Sequence, residues 1–205
     1  MAEPARSDLP RAESSRDESS RIELSRAEQI VQAAARLFAE RGYGATGIDD
    51  IGAQVGVSGP AIYWHFSGKQ ALLATMLTDV SQRLLAGGRA CVADAGNAAA
   101  ALDSLVTMQV EFALDEPDLI VVHSRELRHL DDQQAHAIRS LQRQYVDVWV
   151  DVMEHLHPAV ARARLSAAVQ AAIGLVNSTP YVGKLPRKQL APLLHDMALA
   201  ALAAA

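Results

Sequence analysis

Residues 46 to 69 read TGIDDIGAQVGVSGPAIYWHFSGK, and the reading of this stretch decides the fold. Ile48, Ile51 and Val55 stand at i, i+3 and i+7, one face of a short helix. Thr46 is placed to cap that helix, with Asp49 three residues on as a short-armed capping box. Gly56-Val57 then breaks the pattern, and Gly ends a helix without steric cost. Ser58 is the expected cap of a second short helix, and Pro60 falls in its first turn, where a missing N–H costs nothing. Two short helices across a Gly turn make a helix-turn-helix, whose second helix can enter a DNA major groove. The same turn occurs in helical proteins that never touch DNA, so the flanking residues must decide.

They do so through their side chains. Ile62 and Phe66 lie at i and i+4, which leaves Tyr63, Trp64 and His65 pointing away from the apolar face. Exposed aromatics cost solubility, so a segment selected for folding alone would rarely carry them. Ser67 with Gln70 predicts another capping box and a new helix, with Lys69 in its first turn, free to reach a phosphate. The segment resembles the DNA-binding domain of the tetracycline-repressor (TetR) family of bacterial transcriptional regulators. Phe38, Gly42, Thr46, Ile51, Gly56-Val57-Ser58, Tyr63, His65-Phe66, Lys69 and Leu72-Leu73 carry the resemblance. Two positions depart from it: Pro60 replaces the usual small Gly, and Gly68 stands where Ser or Asn is common. The resemblance implies phosphate contacts from Thr46, Tyr63, His65 and Lys69, which position the helix without reading sequence. It places Ser58, Gly59, Ala61 and Trp64 where base edges or thymine methyls are met. For Tyr63 a plainer role also stands, that of a core aromatic.

Charge gives this reading little help. The chain of 205 residues carries a net −5, which argues against indiscriminate nucleic-acid binding. From residue 25 to 75, Arg26, Arg36, Arg41 and Lys69 are matched by Glu28, Glu40, Asp49 and Asp50, a net of zero. DNA binding must then rest on a few well-placed groups, on helix N-termini and on a dimer that doubles the contacts. A lone Cys91 allows no intramolecular disulfide and suits a reducing cytoplasm. No run of 18 apolar residues occurs, so no membrane association is expected. Glu3, Arg6 and Asp8 stand where a secretory leader has its apolar core, so a leader is not expected either.

In chain order, residues 1–24 hold a period-five repeat (RAESS, RDESS, RIELS) that lines no face of a helix or strand. Rich in Ser and charge, with four Arg against six acids, it reads as a disordered tail rather than a basic arm. Residues 25–72 form the expected helix-turn-helix domain, opened by a Ser25/Glu28 capping box and a first helix that stops at Gly42. Residues 73–205 form the expected helical effector and dimerisation domain. Its first helix runs on from Lys69 and is expected to end at Gly87-Gly88; further helices carry Leu102 to Phe112, Leu119 to Leu130 and Ile138 to Leu156. No segment alternates with period two, which predicts an all-α protein. The last two helices are rich in Ala, and the terminal one is apolar nearly all round. By resemblance they form a dimer face through Val169, Ile173, Leu190, Leu194 and Met197.

Met76, Val80, Met108, Phe112, Tyr145, Trp149 and Met153 are the expected walls of a ligand pocket, since Met adapts and aromatics give wide apolar surfaces. Each could equally be filled core. His123, Arg125 and Asn177 are candidate polar anchors, as are Arg128, Arg139 and Arg143; an apolar ligand with an acidic end, acyl or acyl-CoA-like, is expected. His155 and His157 lie two apart on a helix and point opposite ways, so no metal site is expected there. No cofactor loop or nucleophile elbow occurs, so the chain is not expected to be an enzyme. The expectation is a cytoplasmic homodimer that binds double-stranded operator DNA, by resemblance a repressor, and is released by a small-molecule effector. The rival is a helical carrier or enzyme that does not bind DNA.

Overall fold

A computed structural model of the chain describes residues 25–183 and 185–205. The repeat in residues 1–24, expected to be a tail, lies outside the described residues. The described residues form helices and one short 3₁₀ turn, without a strand. No helix among them is long and apolar enough to cross a membrane.

Helix α1 (Arg26–Arg41) opens on the anticipated capping box: Ser25 N–H donates to Glu28 Oε2 at 2.7 Å, and Glu28 N–H to Ser25 Oγ at 3.3 Å. It ends at Gly42, whose φ of +85° suits a residue without Cβ. Helix α2 (Ile48–Gln54) is capped differently from the expectation. Its N-cap is Gly47, whose N–H donates to Asp50 Oδ2 at 2.8 Å. Thr46 is unavailable because its hydroxyl points inward, 3.0 Å from Gly42 O and 3.3 Å from Leu37 O. Helix α3 (Gly59–Ile62) is short, but i→i+3 bonds from Tyr63, Trp64 and His65 carry the turn onward. Ser58 is its N-cap by position, with no side-chain bond.

Helix α4 (Lys69–Asp94) starts from Gly68, not from a Ser67 capping box, and does not stop at Gly87-Gly88. Those glycines serve close approach. A Cβ on Gly87 would stand 2.7 Å from Met108 Sδ, and one on Gly88 would stand 3.0 Å from Tyr145 Cε2. Gly within a helix costs about 1 kcal/mol against Ala, and the contacts of α5 and α7 on this stretch offset it. Asn97 caps α5 (Ala98–Asp115), Pro117 opens α6 (Pro117–Glu126), and the 3₁₀ turn Leu127–His129 follows. Asp131 caps α7 (Asp132–Leu156) through a 2.7 Å bond from Gln134 N–H, as its sequence suggests. Helices α8 (Arg162–Val176) and α9 (Arg187–Ala203) close the fold, with Pro192 inside α9.

Two apolar cores result. One gathers α1–α3 with the first half of α4 and also takes in Leu119 and Val122 of α6, Leu130 after the 3₁₀ turn and Ile138 of α7. The other joins the second half of α4 to α5, α7, α8 and α9. Leu84 and Phe112 pack against both.

The tightness of the helix-turn-helix is testable at Gly52, where a Cβ would meet Val57 O at 2.6 Å. Gly→Ala within a helix ordinarily stabilises by about 0.5–1 kcal/mol. Here the added methyl meets backbone, so Gly52→Ala is expected to destabilise by roughly 1–3 kcal/mol in urea unfolding. A variant as stable as the parent would show that α2 and the turn are not in contact.

Candidate DNA-reading surface and ligand cavity

The surface around α3 is set by what α2 and the turn bury. Ile51, Ile62 and Phe66 face inward, which throws Tyr63, Trp64 and His65 outward. Trp64 is 89% exposed and Tyr63 57% exposed. Tyr63 is therefore not the core aromatic that was its alternative reading. Ser58 and Pro60 are exposed beside them, and Ala61 is half-buried.

Three of the anticipated DNA-facing residues are placed elsewhere. Thr46 is 1% exposed and its hydroxyl is spent on the end of α1, so it offers no side chain to a phosphate. Gly59 is buried where a Cβ would collide with the Asp49 carboxylate; it is there for the α2–α3 approach. Lys69 is not free: its ammonium donates to Tyr43 O at 2.7 Å and Thr46 O at 2.8 Å, and sits 4.2 Å above the Tyr43 ring. It fixes the α1–α2 loop in place.

The same loop meets the C-terminal half of the chain. Tyr43 stacks on His129 with ring centroids 4.6 Å apart, and Gln70 Nε2 donates to His129 O at 3.1 Å. Glu126 is buried at the end of α6, its Oε2 3.2 Å from His129 Nε2.

One turn earlier, α6 forms a wall of a cavity of about 320 Å³. Leu119, Ile120, His123 and Ser124 come from α6, and Val80, Ser81 and Leu84 from α4. Gln109 and Phe112 of α5, Gln142, Tyr145 and Val146 of α7, and Ile173 and Asn177 at the end of α8 complete it, with Tyr181 at one side. Such a volume lies at the low end for small-molecule sites. A chain of hydrogen bonds crosses the cavity wall: Tyr145 O–H donates to Gln109 Oε1 at 2.7 Å, and Gln109 Nε2 donates to Asn177 Oδ1 at 2.8 Å. Burial pushes the Tyr145 hydroxyl far above its ordinary range, so it stays a donor. Burial also lowers the His123 pKa below its ordinary 6.5, leaving a neutral ring against the Gln142 amide.

Of the anticipated ligand residues, Val80, Phe112, His123, Tyr145 and Asn177 meet in this cavity. Trp149 and Met153 are buried in the C-terminal core, with Trp149 edge-on to Tyr145 at 6.1 Å. Met76 belongs to the N-terminal core, and Met108 lies over Gly87 near Cys91. Arg125 is exposed on the outer face of α6, as are Arg128, Arg139 and Arg143 on their own elements; none of the four lines the cavity. Gln109, 1% exposed amid the apolar residues of α5, was missed, although a Gln between Val106 and Val110 is the kind of interruption that marks a site. Among the described residues no group of His, Cys, Asp or Glu could hold a metal ion.

The anticipated dimer residues need correcting as well. Val169, Leu190 and Leu194 are buried within the C-terminal core of one chain, and Ile173 is a cavity wall. The hydrophobic stripe of α9 turns inward because α5 and α8 cover it. Met197, 45% exposed, remains outside, with Leu193 beside it.

Residues 30–76 match the family described as bacterial regulatory proteins, tetR family. Residues 95–202, over half the chain, match the tetracyclin repressor-like C-terminal domain. The HTH-type transcriptional repressor KstR2 of Rhodococcus jostii is 28% identical over 127 residues, 62% of this chain and 62% of that protein. The chain therefore matches under two thirds of that relative's length. A solved TetR-family transcriptional regulator from Bordetella parapertussis has a TM-score of 0.75 at 25% identity, covering 84% of this chain and 93% of its own. FadR of Bacillus subtilis, solved with stearoyl-CoA, shares the fold with a TM-score of 0.67 at 16% identity, covering 85% of this chain and 98% of its own. A helix-turn-helix displaying its aromatics, an all-helical C-terminal domain around a cavity, and both family matches place this chain in the TetR family of bacterial regulatory proteins.

Proposed function

We propose that this regulator is a repressor that binds a palindromic operator as a homodimer and is released when a small hydrophobic ligand enters the cavity. The observation that carries the reading is the double attachment of α6. Its Leu119, Ile120, His123 and Ser124 line the cavity, and a few residues on, His129 stacks on Tyr43 and accepts from Gln70 at the base of the helix-turn-helix. A ligand that favours one placement of α6 thereby favours one placement of the DNA-facing domain. The apolar tail of an acyl ligand, as in the stearoyl-CoA bound by FadR, suits the aliphatic walls; the anticipated acidic end has no partner in them. Mobility-shift assays with DNA from upstream of the coding sequence separate this reading from that of a carrier, which would give no shift.

In this proposal Trp64 and Tyr63 form the centre of the DNA contact. Trp64→Ala is expected to weaken operator binding about 30-fold or more, as loss of a central aromatic does at other interfaces. Thermal stability should stay within about 0.5 kcal/mol, because the ring packs on nothing. Unchanged affinity in anisotropy titrations would remove Trp64 from the interface.

The dimer is assigned to the outer face of α8 and α9. Ala163, Ala167, Ala171 and Gly174 make a small-residue stripe on α8, and Leu193, Met197 and Ala200 make an exposed apolar stripe on α9. Two such faces can close into a four-helix bundle around a two-fold axis. Leu193→Glu, placed outside the core, should yield folded monomers in sedimentation and lose most operator affinity. A tight dimer surviving this change would put the interface elsewhere. His129→Leu should leave both ligand and DNA able to bind while reducing the factor by which each weakens the other, since the coupling is reciprocal. If that factor measured as in the parent, α6 would not be the connection.

A further inference from the structure

The cavity carries a second piece of information, about charge. Its described lining contains no Asp, Glu, Lys or Arg. The one titratable cation-former in the wall is His123, and burial lowers its pKa, so that it faces the cavity neutral. Arg125 and Arg143, each beside a lining residue in sequence, are exposed and turned outward. Arg83, directly before Leu84 in α4, is held by Asp79 at 3.0 Å and by Glu116 at 2.7 Å. Yet the wall is not simply greasy. Gln109, Tyr145 and Asn177 form a fully neutral hydrogen-bonded chain, and Gln142 with His123 forms another neutral pair.

A buried ionised group needs a partner charge or it must shed its own. This wall supplies none, while its amides and hydroxyls can meet a neutral oxygen or N–H. We propose that the cavity selects an uncharged, mainly apolar molecule and excludes ligands that would carry a formal charge into it. The inference rests on the cavity being the ligand site proposed above, and it sharpens that reading by class. It also departs from the acidic ligand anticipated from the sequence, since the arginines that would have held an acid stand outside.

The matched pair N-phenyl-1-naphthylamine and 8-anilino-1-naphthalenesulfonate tests it on the full-length protein without DNA. The two share one skeleton, differ by a sulfonate, and brighten on entering apolar sites. At neutral pH the uncharged amine should bind at least ~30-fold more tightly than the sulfonate. Ile120→Trp and, as a second filling variant, Leu84→Phe should each abolish binding of the amine if it occupies the cavity. Gln142→Lys, which sets a cation into the wall, should raise sulfonate affinity at least ~10-fold and narrow or reverse the preference. Equal or tighter binding of the sulfonate in the parent, lost in the filling variants, would overturn the inference. So would an amine that fails to bind or that ignores both filling variants. Charge selection without any effect on operator affinity would uphold the inference and sink the release reading instead.

Discussion

The C-terminal domain depends on a side chain that is not there. Position 88 is Gly in the second half of a 26-residue helix, and a Cβ there would sit 3.0 Å from the ring of Tyr145. This close approach lets α7 lie along α4, and it delivers the Tyr145 hydroxyl to Gln109, whose amide reaches on to Asn177. Four helices (α4, α5, α7 and α8) are thus tied through one ring and two amides around the cavity. A larger residue at 88 would push α7 outward and break that chain at its first link. The cavity is a consequence of backbone proximity as much as of its own walls.

The second constraint is that α4 and α6 each belong to both cores. Helix α4 is about 39 Å long by its residue count. Its first half is buried with α1–α3 and its second half with α5 and α7. Leu119 and Val122 of α6 pack in the N-terminal core while Ile120 packs in the other. Side chains one residue apart on this helix therefore report to different domains. A rotation of α6 cannot improve one packing without disturbing the other. That is the physical condition under which a small ligand can bias a distant surface, because packed cores have discrete arrangements rather than a continuum of them.

Much of this was legible in the sequence. The capping box at Ser25, the cap at Asp131, the all-helical character and the helix-turn-helix all follow from local rules that the fold leaves intact. The failures share a cause, which is that tertiary contact reassigned a residue whose local reading was sound. Gly87 and Gly88 read as a stop because Gly ends helices; here they are spaces that Met108 and Tyr145 occupy. Thr46 and Ser67 read as caps, but Thr46 turned inward to the end of α1, and Gly47 and Gly68 took the cap positions. Lys69 read as a free cation until the loop carbonyls of Tyr43 and Thr46 were seen to surround it. Trp149 and Met153 have the right chemistry for a pocket, but they lie one and two helical turns beyond Tyr145, where the pocket has already closed. Periodicity assigns a residue to a face; it does not say how far along the helix that face stays open.

Lys69 bears also on how such a surface holds DNA. The helix-turn-helix region has no net charge, and one of its four cations is committed to two backbone carbonyls. Arg26 is partly committed as well, donating to Val55 O at 3.1 Å. Counterion release scales with the phosphates neutralised, so a surface with few free cations gains little from it in one subunit. In the proposed complex, what remains beside the exposed Arg36 and Arg41 is short-range: the faces of Trp64 and Tyr63, and whatever hydrogen bonds Ser58 and His65 make. Contacts of that kind fall away within an ångström or two, so the two subunits of the proposed dimer could use them together only if their separation were held closely to the half-site spacing. On the proposed reading, dependence on contact more than on charge would make the regulator sensitive to small displacements of α4 and α6, because a shift that would barely alter a long-range attraction removes a packed ring from its seat altogether.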